Sequence, residues 1–111
     1  MLQDNINLEG KTVLVTGAAG FIGSNLVKRL LRDVPSVNVV GIDSVTDYYD
    51  VGIKYGRLGE IERLAAAVPS SSWTFVKGSI ADRELLEGIF RGYPVSVVVN
   101  LAAQAGGRYS I

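Results

Sequence analysis

Four short apolar runs recur along the chain, separated by polar or helical segments. The first run, TVLVT, is β-branched and apolar on both faces, which is typical of a strand buried inside a parallel sheet. It ends abruptly at Gly17, and the second run ends at Asp43. The predicted strands are Thr12–Thr16, Val37–Ile42, Trp73–Lys77 and Val95–Leu101.

Apolar residues at helical spacing lie between these runs. The first helix is predicted from Phe21 to about Asp33, with its stripe formed by Phe21, Ile22, Leu26, Val27, Leu30 and Leu31. Residues 44–56 are rich in polar and aromatic residues and contain two glycines, so they are predicted to form a loop. A helix is predicted to follow over Arg57–Ala67. Asp82 is expected to cap a third helix that ends at Gly92 and Pro94. Its apolar face is predicted to carry Leu85, Leu86, Ile89 and Phe90.

The resulting order is β-α-β-α-β-α-β, which indicates an α/β fold with parallel strands and right-handed crossovers. The predicted strand order is 3-2-1-4 with helices on both faces. This arrangement is the first half of a doubly wound sheet together with one strand of the second half.

Composition narrows the classes of function. The chain has 111 residues, of which 48% are hydrophobic, and its 11 basic and 11 acidic residues balance to zero net charge. No basic excess points to nucleic acid or to an anionic membrane. The absence of cysteine and histidine removes thiolate and imidazole metal sites and the commonest general base, so no metal is expected. No signal peptide or membrane span is recognised, and a cytoplasmic protein is expected.

Three glycines at intervals of three follow the first strand in TGAAGFIG. Gly17 would permit a tight turn, Gly20 would let a pyrophosphate approach the backbone, and Gly23 would let the helix pack closely on the strand. The start of the helix would direct its N–H groups and positive dipole end at the phosphates. The alternative for an isolated match is a flexible turn whose glycines only satisfy backbone angles.

Asp43 ends the second strand, twenty residues after Gly23. A carboxylate at that point accepts hydrogen bonds from the hydroxyls of the adenosine ribose, so the combination predicts dinucleotide binding. Asp43 would repel a 2′-phosphate, and no Arg or Lys lies in Ala18–Phe21 to receive one. The sequence therefore predicts NAD rather than NADP as the cofactor.

The motif TGAAGFIG resembles the extended short-chain dehydrogenase/reductase superfamily, the NAD-dependent epimerases and dehydratases. Three further stretches are similar to UDP-glucuronate 4-epimerases: DSVTDYYDVGIKYGRL (43–58), VKGSIADRELLEGIF (76–90) and LAAQAGGRYSI (101–111). The resemblance implies an N-terminal extension over 1–10 and the N-terminal part of an NAD-binding Rossmann domain over 11–111. It also implies a nucleotide sugar as the substrate of the parent protein.

The resemblance assigns roles residue by residue. The pyrophosphate would contact Gly17, Gly20, Phe21, Ile22 and Gly23. The adenosine ribose would be held by Asp43 and Lys54, and the adenine would lie beside Ser79 and Ile80. The ribose and nicotinamide side would involve Leu101, Ala102, Ala103 and Gln104. Substrate contacts would begin at Arg108, Tyr109 and Ser110, with Arg108 either a carboxylate or phosphate partner or a solvated tail residue.

Two positions depart from the family pattern. The family usually has aspartate where this chain has Ser79. A serine hydroxyl can also accept a hydrogen bond from the adenine amino group, but it accepts more weakly and its side chain is shorter. A lower affinity for adenine is therefore expected. The family often has histidine where this chain has Asn100, which is expected to matter little because either side chain can form a local hydrogen bond.

The family reaction is a transient oxidation at C4 of the sugar by NAD, with the tyrosine of a Tyr-x-x-x-Lys motif as base. None of the five tyrosines has lysine four residues later, so no catalytic residue is assigned. The chain is expected to be an N-terminal fragment that is not itself active. Strand 95–101 would then lack a neighbour, and a homo-oligomer through it is expected.

Three alternatives stay open at this point. The parent protein could be a nucleotide-sugar 4,6-dehydratase or an epimerase of another sugar. The chain could instead be a stand-alone NAD-binding module without catalysis, or a structural relic whose glycine turn binds nothing.

Overall fold

The computed structural model describes residues 7–46 and 51–102, which form seven alternating elements. Their bounds are β1 Thr12–Thr16, α1 Phe21–Asp33, β2 Asn38–Asp43, α2 Val51–Ala67, β3 Ser72–Lys77, α3 Arg83–Gly92 and β4 Val95–Asn100. The strands pair in parallel in the order β3-β2-β1-β4. The predicted α/β class, parallel sheet and strand order are confirmed, and four predicted strand bounds shift by one residue, at both ends of β2, at the start of β3 and at the end of β4.

The sheet has a hydrophobic core on each face. One core joins β1, β2 and β4 to α1 and α2 through residues such as Val13, Val27, Val39 and Ile61. The other lies under α3 and contains Leu14, Val40, Ile42 and Ile89. All five residues of β1 are buried, as expected for a central strand covered on both faces.

The predicted apolar stripe of α1 is wrong at its first two residues. Val27, Leu30 and Leu31 are buried as predicted, but Phe21 is 69% and Ile22 67% exposed. At the start of α1, the buried residues are Gly23 and Ser24, which lie one turn before Val27. Phe21 and Ile22 are therefore on the exposed side of the helix.

Helix α2 begins at Val51, so the predicted loop is wrong over residues 51–56. Gly52 and Gly56 lower the intrinsic helix propensity of residues 51–56, so the sequence pattern alone favours a loop there. Tertiary contacts compensate, because Lys54 Nζ lies 3.3 Å from Asp43 Oδ1 and Lys77 Nζ donates to Tyr55 Oη over 3.2 Å. The extra turns bring α2 to the carboxyl edge of the sheet.

Helix α3 is capped as predicted, with Asp82 Oδ1 accepting from the Leu85 backbone N–H over 3.1 Å. Ile89 is buried, and Leu85 and Leu86 pack partly against the same core. Phe90 is 50% exposed, so its predicted place on the packed face is wrong. Phe90 belongs to neither of the two hydrophobic cores of the described residues. Within the described residues, no helix combines the length and apolarity needed to cross a bilayer.

Candidate functional site

A cleft of about 510 Å³ opens at the carboxyl edge of the sheet, where the segments after all four strands converge. In open α/β sheets such an edge is where ligands bind, at the point where the strand order reverses. Here that point lies between β1 and β4, since the chain runs outward from β1 to β3 before returning. The cleft is lined by Gly17, Gly20, Phe21, Ile42, Asp43, Ser44, Thr46, Lys54, Arg57, Gly78, Ser79, Ile80, Leu101 and Ala102.

Gly17 makes the turn that starts the cleft. Its φ is +71°, a conformation that L side chains rarely adopt, and an added Cβ would lie 2.9 Å from the backbone of Leu101 and Ala102. The turn is tied to β2, because the N–H groups of Gly17 and Ala18 both donate to the Ile42 carbonyl, at 2.8 and 3.2 Å. The backbone here therefore requires glycine for both conformation and space.

The other two glycines have different surroundings. A Cβ on Gly23 would meet the Gly17 carbonyl oxygen at 2.1 Å, so Gly23 allows α1 to pack against the turn. A Cβ on Gly20 would have only that same oxygen, at 3.3 Å, within 4 Å, and Gly20 lines the cleft. Gly23 and Ile22 are not among the lining residues, whereas Gly17, Gly20 and Phe21 are.

Asp43 is held rigidly at the end of β2 and is 7% exposed. Its Oδ2 accepts from the Ala19 backbone N–H over 3.0 Å, and its Oδ1 accepts from the Val45 N–H over 2.8 Å. Lys54, whose side chain is 18% exposed, forms an ion pair with the same Oδ1. The predicted ribose residues Asp43 and Lys54 are thus brought together beside the glycine turn.

Thr16 organises the opposite wall of the cleft, and the sequence analysis missed it. Its hydroxyl donates to Asn100 Oδ1 and accepts from the N–H groups of Leu101 and Ala102, at 2.9 and 3.1 Å. These bonds fasten the end of β4 to the end of β1 and set Leu101 and Ala102 against Gly17. The sequence feature that could have identified Thr16 is its position directly before Gly17, where the glycine turn begins.

The predicted adenine residues Ser79 and Ile80 line the cleft at the end of β3. The Gly78 N–H donates to the Asp43 carbonyl over 3.0 Å, which joins this wall to β2. The Ser79 hydroxyl oxygen accepts from the Ala81 N–H over 3.0 Å, so part of its accepting capacity is used locally.

Arg57 is a lining residue that sequence reasoning did not select. Its Nη1 donates to the Ala19 carbonyl over 3.3 Å, and its Cζ lies 5.8 Å from the centroid of the Phe21 ring. Arg57 follows Lys54 by three residues, so helical spacing would have placed both on one face of α2. Because residues 44–56 were predicted to form a loop, the shared helix face of Lys54 and Arg57 was not recognised.

Some predicted residues lie outside the described part of the chain. These are Ala103, Gln104, Arg108, Tyr109 and Ser110, together with residues 47–50 of the DYYD stretch. Over residues 7–46 and 51–102, no group of three acidic, histidine or cysteine side chains is arranged to hold a metal ion.

Comparison with known proteins places these features in a family. The family model described as GDP-mannose 4,6 dehydratase matches residues 14–111. UDP-glucuronate 4-epimerase 2 of Arabidopsis thaliana is 40% identical over 102 residues, which are 92% of this chain and 21% of that protein.

Two solved structures share both the fold and part of the sequence. UDP-glucuronic acid 4-epimerase from Bacillus cereus, in complex with UDP-4-deoxy-4-fluoro-glucuronic acid and NAD, has a TM-score of 0.65 and 33% identity over 83% of this chain and 26% of its own. dTDP-glucose 4,6-dehydratase from Bacillus anthracis, in complex with NAD, has a TM-score of 0.65 and 34% identity over 86% of this chain and 27% of its own. The chain thus spans well under a third of the length of these relatives.

Proposed function

Because the chain belongs to the GDP-mannose 4,6 dehydratase family of NAD-dependent epimerases and dehydratases, we propose that residues 11–111 are the N-terminal, NAD-binding part of a nucleotide-sugar epimerase. The proposed activity of the whole protein is that of a UDP-glucuronate 4-epimerase. The observation that carries the proposal is the Asp43 carboxylate, buried and fixed 3.0 Å from the Ala19 N–H of the glycine turn.

The described residues suit an extended dinucleotide. The pyrophosphate would lie along Gly17 and Gly20, where the first N–H groups of α1 and its dipole favour negative charge. Gly20 is the N-cap of α1 and has no side chain to occupy that space. The Asp43 carboxylate would accept from the adenosine ribose hydroxyls.

The two ends of the cofactor would meet the flanking walls of the cleft. Ser79 and Ile80 would contact the adenine. Leu101 and Ala102, fastened by Thr16, would support the ribose on the nicotinamide side, with Ala103 and Gln104 following. Arg108 and Ser110 are proposed to contact the substrate.

When bound, NAD supplies a hydride acceptor and donor for C4 of the sugar. The residues of this chain bind and orient that cofactor, and we assign no proton transfer to them. None of the five tyrosines is followed by lysine four residues later. The base that deprotonates the sugar hydroxyl is therefore not assigned within these 111 residues, and we propose that the chain alone is not catalytic.

A nucleotide-sugar 4,6-dehydratase is the second candidate for the whole protein. It is favoured by the description of the family model and by the 34% identity to the Bacillus anthracis dehydratase. Supplying UDP-glucuronate and dTDP-glucose separately to the whole protein would distinguish the candidates, since the first yields a C4 epimer and the second a dehydrated keto sugar.

Calorimetric titration of the chain with NAD tests the binding proposal. We expect saturable binding below about 1 mM, the upper range of ordinary enzyme affinities. Gly20→Val should abolish the binding heat because its side chain would project into the pyrophosphate space. Gly88→Val on α3, where an added Cβ meets nothing within 4 Å, is the matched control. Absence of heat at several millimolar NAD, or equal loss in both variants, would overturn the proposal.

We also propose that the chain self-associates through β4 and that it acts in the cytoplasm. β4 is an edge of the described sheet, Val98 within it is 48% exposed, and Leu101 directly after it is 39% exposed. An apolar edge strand favours pairing with a second chain. We propose the cytoplasm because NAD and nucleotide sugars are dissolved in that compartment.

A further inference from the structure

Side chains from two different elements bind the two backbone groups of Ala19, in the middle of the glycine turn. The Ala19 N–H donates to Asp43 Oδ2 over 3.0 Å, and the Ala19 carbonyl accepts from Arg57 Nη1 over 3.3 Å. Asp43 ends β2, whereas Arg57 reaches the turn from α2. Ala19 itself is fully buried. The turn is therefore tied to the sheet on one side and to α2 on the other.

The Arg57 guanidinium also contacts the residue that begins α1. Its Cζ lies 5.8 Å from the centroid of the Phe21 ring, within the range of a cation–π interaction. Phe21 is 69% exposed, so burial in the core does not account for an aromatic ring at this position. The ring supports the guanidinium, which thus contacts the residues on both sides of Gly20.

The peptide group that joins Ala19 to Gly20 is held at both of its polar atoms. A trans peptide group is planar, so the Ala19 carbonyl and the Gly20 N–H point in opposite directions. Arg57 binds the carbonyl, and the Gly20 N–H donates to the Gly17 carbonyl over 3.0 Å. Because this peptide plane is fixed, the direction in which the chain enters α1 is fixed as well.

That direction decides where the first N–H groups of α1 point. These N–H groups have no acceptor within the helix, and they are the groups that a pyrophosphate would use. Gly20 is the N-cap and forms no side-chain cap hydrogen bond that could orient them. Glycine also has the widest choice of backbone conformations, so an unrestrained Gly20 would lose more entropy when a ligand binds. A side chain that holds the neighbouring peptide group lowers this cost.

We propose that Arg57 is a positioning residue, which holds the glycine turn in the conformation that binds the cofactor pyrophosphate. It acts through the Ala19 carbonyl and is supported by the Phe21 ring. The inference rests on the proposed function, because it requires that the pyrophosphate lies at the start of α1.

Hydrogen exchange of the ligand-free chain, followed by NMR, tests the positioning directly. In Arg57→Ala, the N–H groups of Ala19 and Gly20 should exchange about fivefold faster, because the loss of one ordinary hydrogen bond lets the turn open more often. The Val15 N–H in the centre of β1 should be unchanged, which reports that the fold is intact. Arg57→Lys should restore part of the protection, since lysine keeps a charged donor but loses the planar fork. Arg63→Ala, at an exposed position further along α2, is the matched control and should change none of these rates.

A double-mutant cycle tests the part played by the Phe21 ring. Phe21→Leu keeps an apolar side chain and removes the ring, so it should speed exchange at Gly20 when Arg57 is present. In the Arg57→Ala background the same substitution should add little, because the guanidinium that the ring supports is already absent. Additive effects of the two substitutions would overturn the statement that the ring acts through Arg57.

Ligands with and without phosphate connect the positioning to binding. Chemical-shift titrations with NAD, ADP and adenosine measure the three affinities, including weak ones. Arg57→Ala should weaken NAD and ADP roughly fivefold to tenfold and change the adenosine affinity by less than about twofold. The difference is expected because adenosine has no phosphate to place at the start of α1.

Each contrary result overturns a stated claim. Unchanged exchange at Ala19 and Gly20 in Arg57→Ala would overturn the positioning role, and weaker ADP binding in that case would indicate a direct contact of Arg57 with phosphate. Equal loss of ADP and adenosine affinity would also overturn it and assign Arg57 to the general packing of α2. In both cases NAD binding by the wild-type chain leaves the proposed function standing. Absence of NAD and ADP binding by the wild-type chain would overturn the proposed function and this inference together.

Discussion

At the scale of single residues, the three evenly spaced glycines meet three different physical demands. Gly17 adopts a positive φ and lies against β4, and Gly23 lies against the Gly17 carbonyl. A Cβ on Gly20 would approach only the Gly17 carbonyl oxygen, at 3.3 Å, and Gly20 lines the cleft. The three glycines are evenly spaced in the sequence, but the fold requires glycine most strictly at Gly17 and Gly23, while Gly17 and Gly20 line the cleft.

Gly23→Ala is expected to destabilise the fold strongly. Its Cβ would lie 2.1 Å from the Gly17 carbonyl oxygen, so α1 or the turn must shift. We expect the free energy of unfolding to fall by roughly 2 kcal/mol or more, as for overpacked sites. Urea denaturation measures this change. Gly88→Ala is the control and should be neutral or stabilising, and equal effects of the two variants would contradict the packing role of Gly23.

The site could be predicted from sequence where a residue lies at, or within two residues after, the carboxyl end of a strand. Gly17, Asp43, Ser79 and Leu101 occupy such positions, and the carboxyl ends of parallel strands lie at one edge of the sheet. Arg57 could not be found in this way, because it reaches the cleft from the second turn of a helix.

At the scale of elements, the strands were predictable because buried parallel strands require continuous apolar runs. The start of α2 was not, because tertiary contacts of Lys54 and Tyr55 outweigh the low helix propensity of Gly52 and Gly56. The exposed Phe90 was misplaced for another reason. Periodicity identifies which residues share a helix face, but it does not give the width of sheet available to cover that face.

Gly56→Ala tests whether the first turns of α2 are helical. An added Cβ there meets nothing within 4 Å, so alanine should raise the free energy of unfolding by about 0.5–1 kcal/mol through its better helix propensity. Gly10→Ala is the contrasting control, since Gly10 has φ +76° and alanine should destabilise it. A destabilising Gly56→Ala in urea denaturation would contradict helical structure at this position.

The ion pair between Lys28 of α1 and Glu60 of α2 should make stability depend weakly on pH. The Lys28 hydrogen bond, with its charge, lowers the pKa of Glu60 below its ordinary value. A lowered folded-state pKa gives a contribution that is present above the unfolded pKa, near 4.3, and lost as the pH falls through the folded value.

Glu60→Gln should accordingly lower the urea midpoint slightly at pH 7 and leave it unchanged near pH 3. The effect should shrink in high salt because the pair is at the surface. Glu62→Gln on an exposed position of α2 serves as the control. An effect of Glu60→Gln that persists unchanged at pH 3 would contradict this assignment.

At the scale of the whole molecule, the described sheet is covered unevenly. Helices α1 and α2 share one face, whereas α3 covers the other mainly over β1 and β2. Val98 of β4 and Phe90 of α3 remain about half exposed. Val98 lies on β4, which is an unpaired edge of the described sheet, and this makes association through β4 favourable.

Light scattering during size-exclusion chromatography tests the proposed self-association. We expect a dimer or larger species at high concentration, and Val98→Lys should shift the distribution toward monomer because it places a charge in the apolar contact. Glu84→Lys, at an exposed position of α3, introduces a lysine elsewhere and should have no such effect. A wild-type monomer at high concentration would contradict the proposal.

The central claim is that the cleft at the carboxyl edge of the sheet binds the dinucleotide, and chemical-shift mapping of the backbone amides during an NAD titration tests it most directly. The account predicts saturable shifts concentrated at the lining segments Gly17–Phe21, Asp43–Thr46, Gly78–Ile80 and Leu101–Ala102. It predicts little change on the exposed side of α3. Shifts confined to other surfaces, or no shifts at several millimolar NAD, would contradict it.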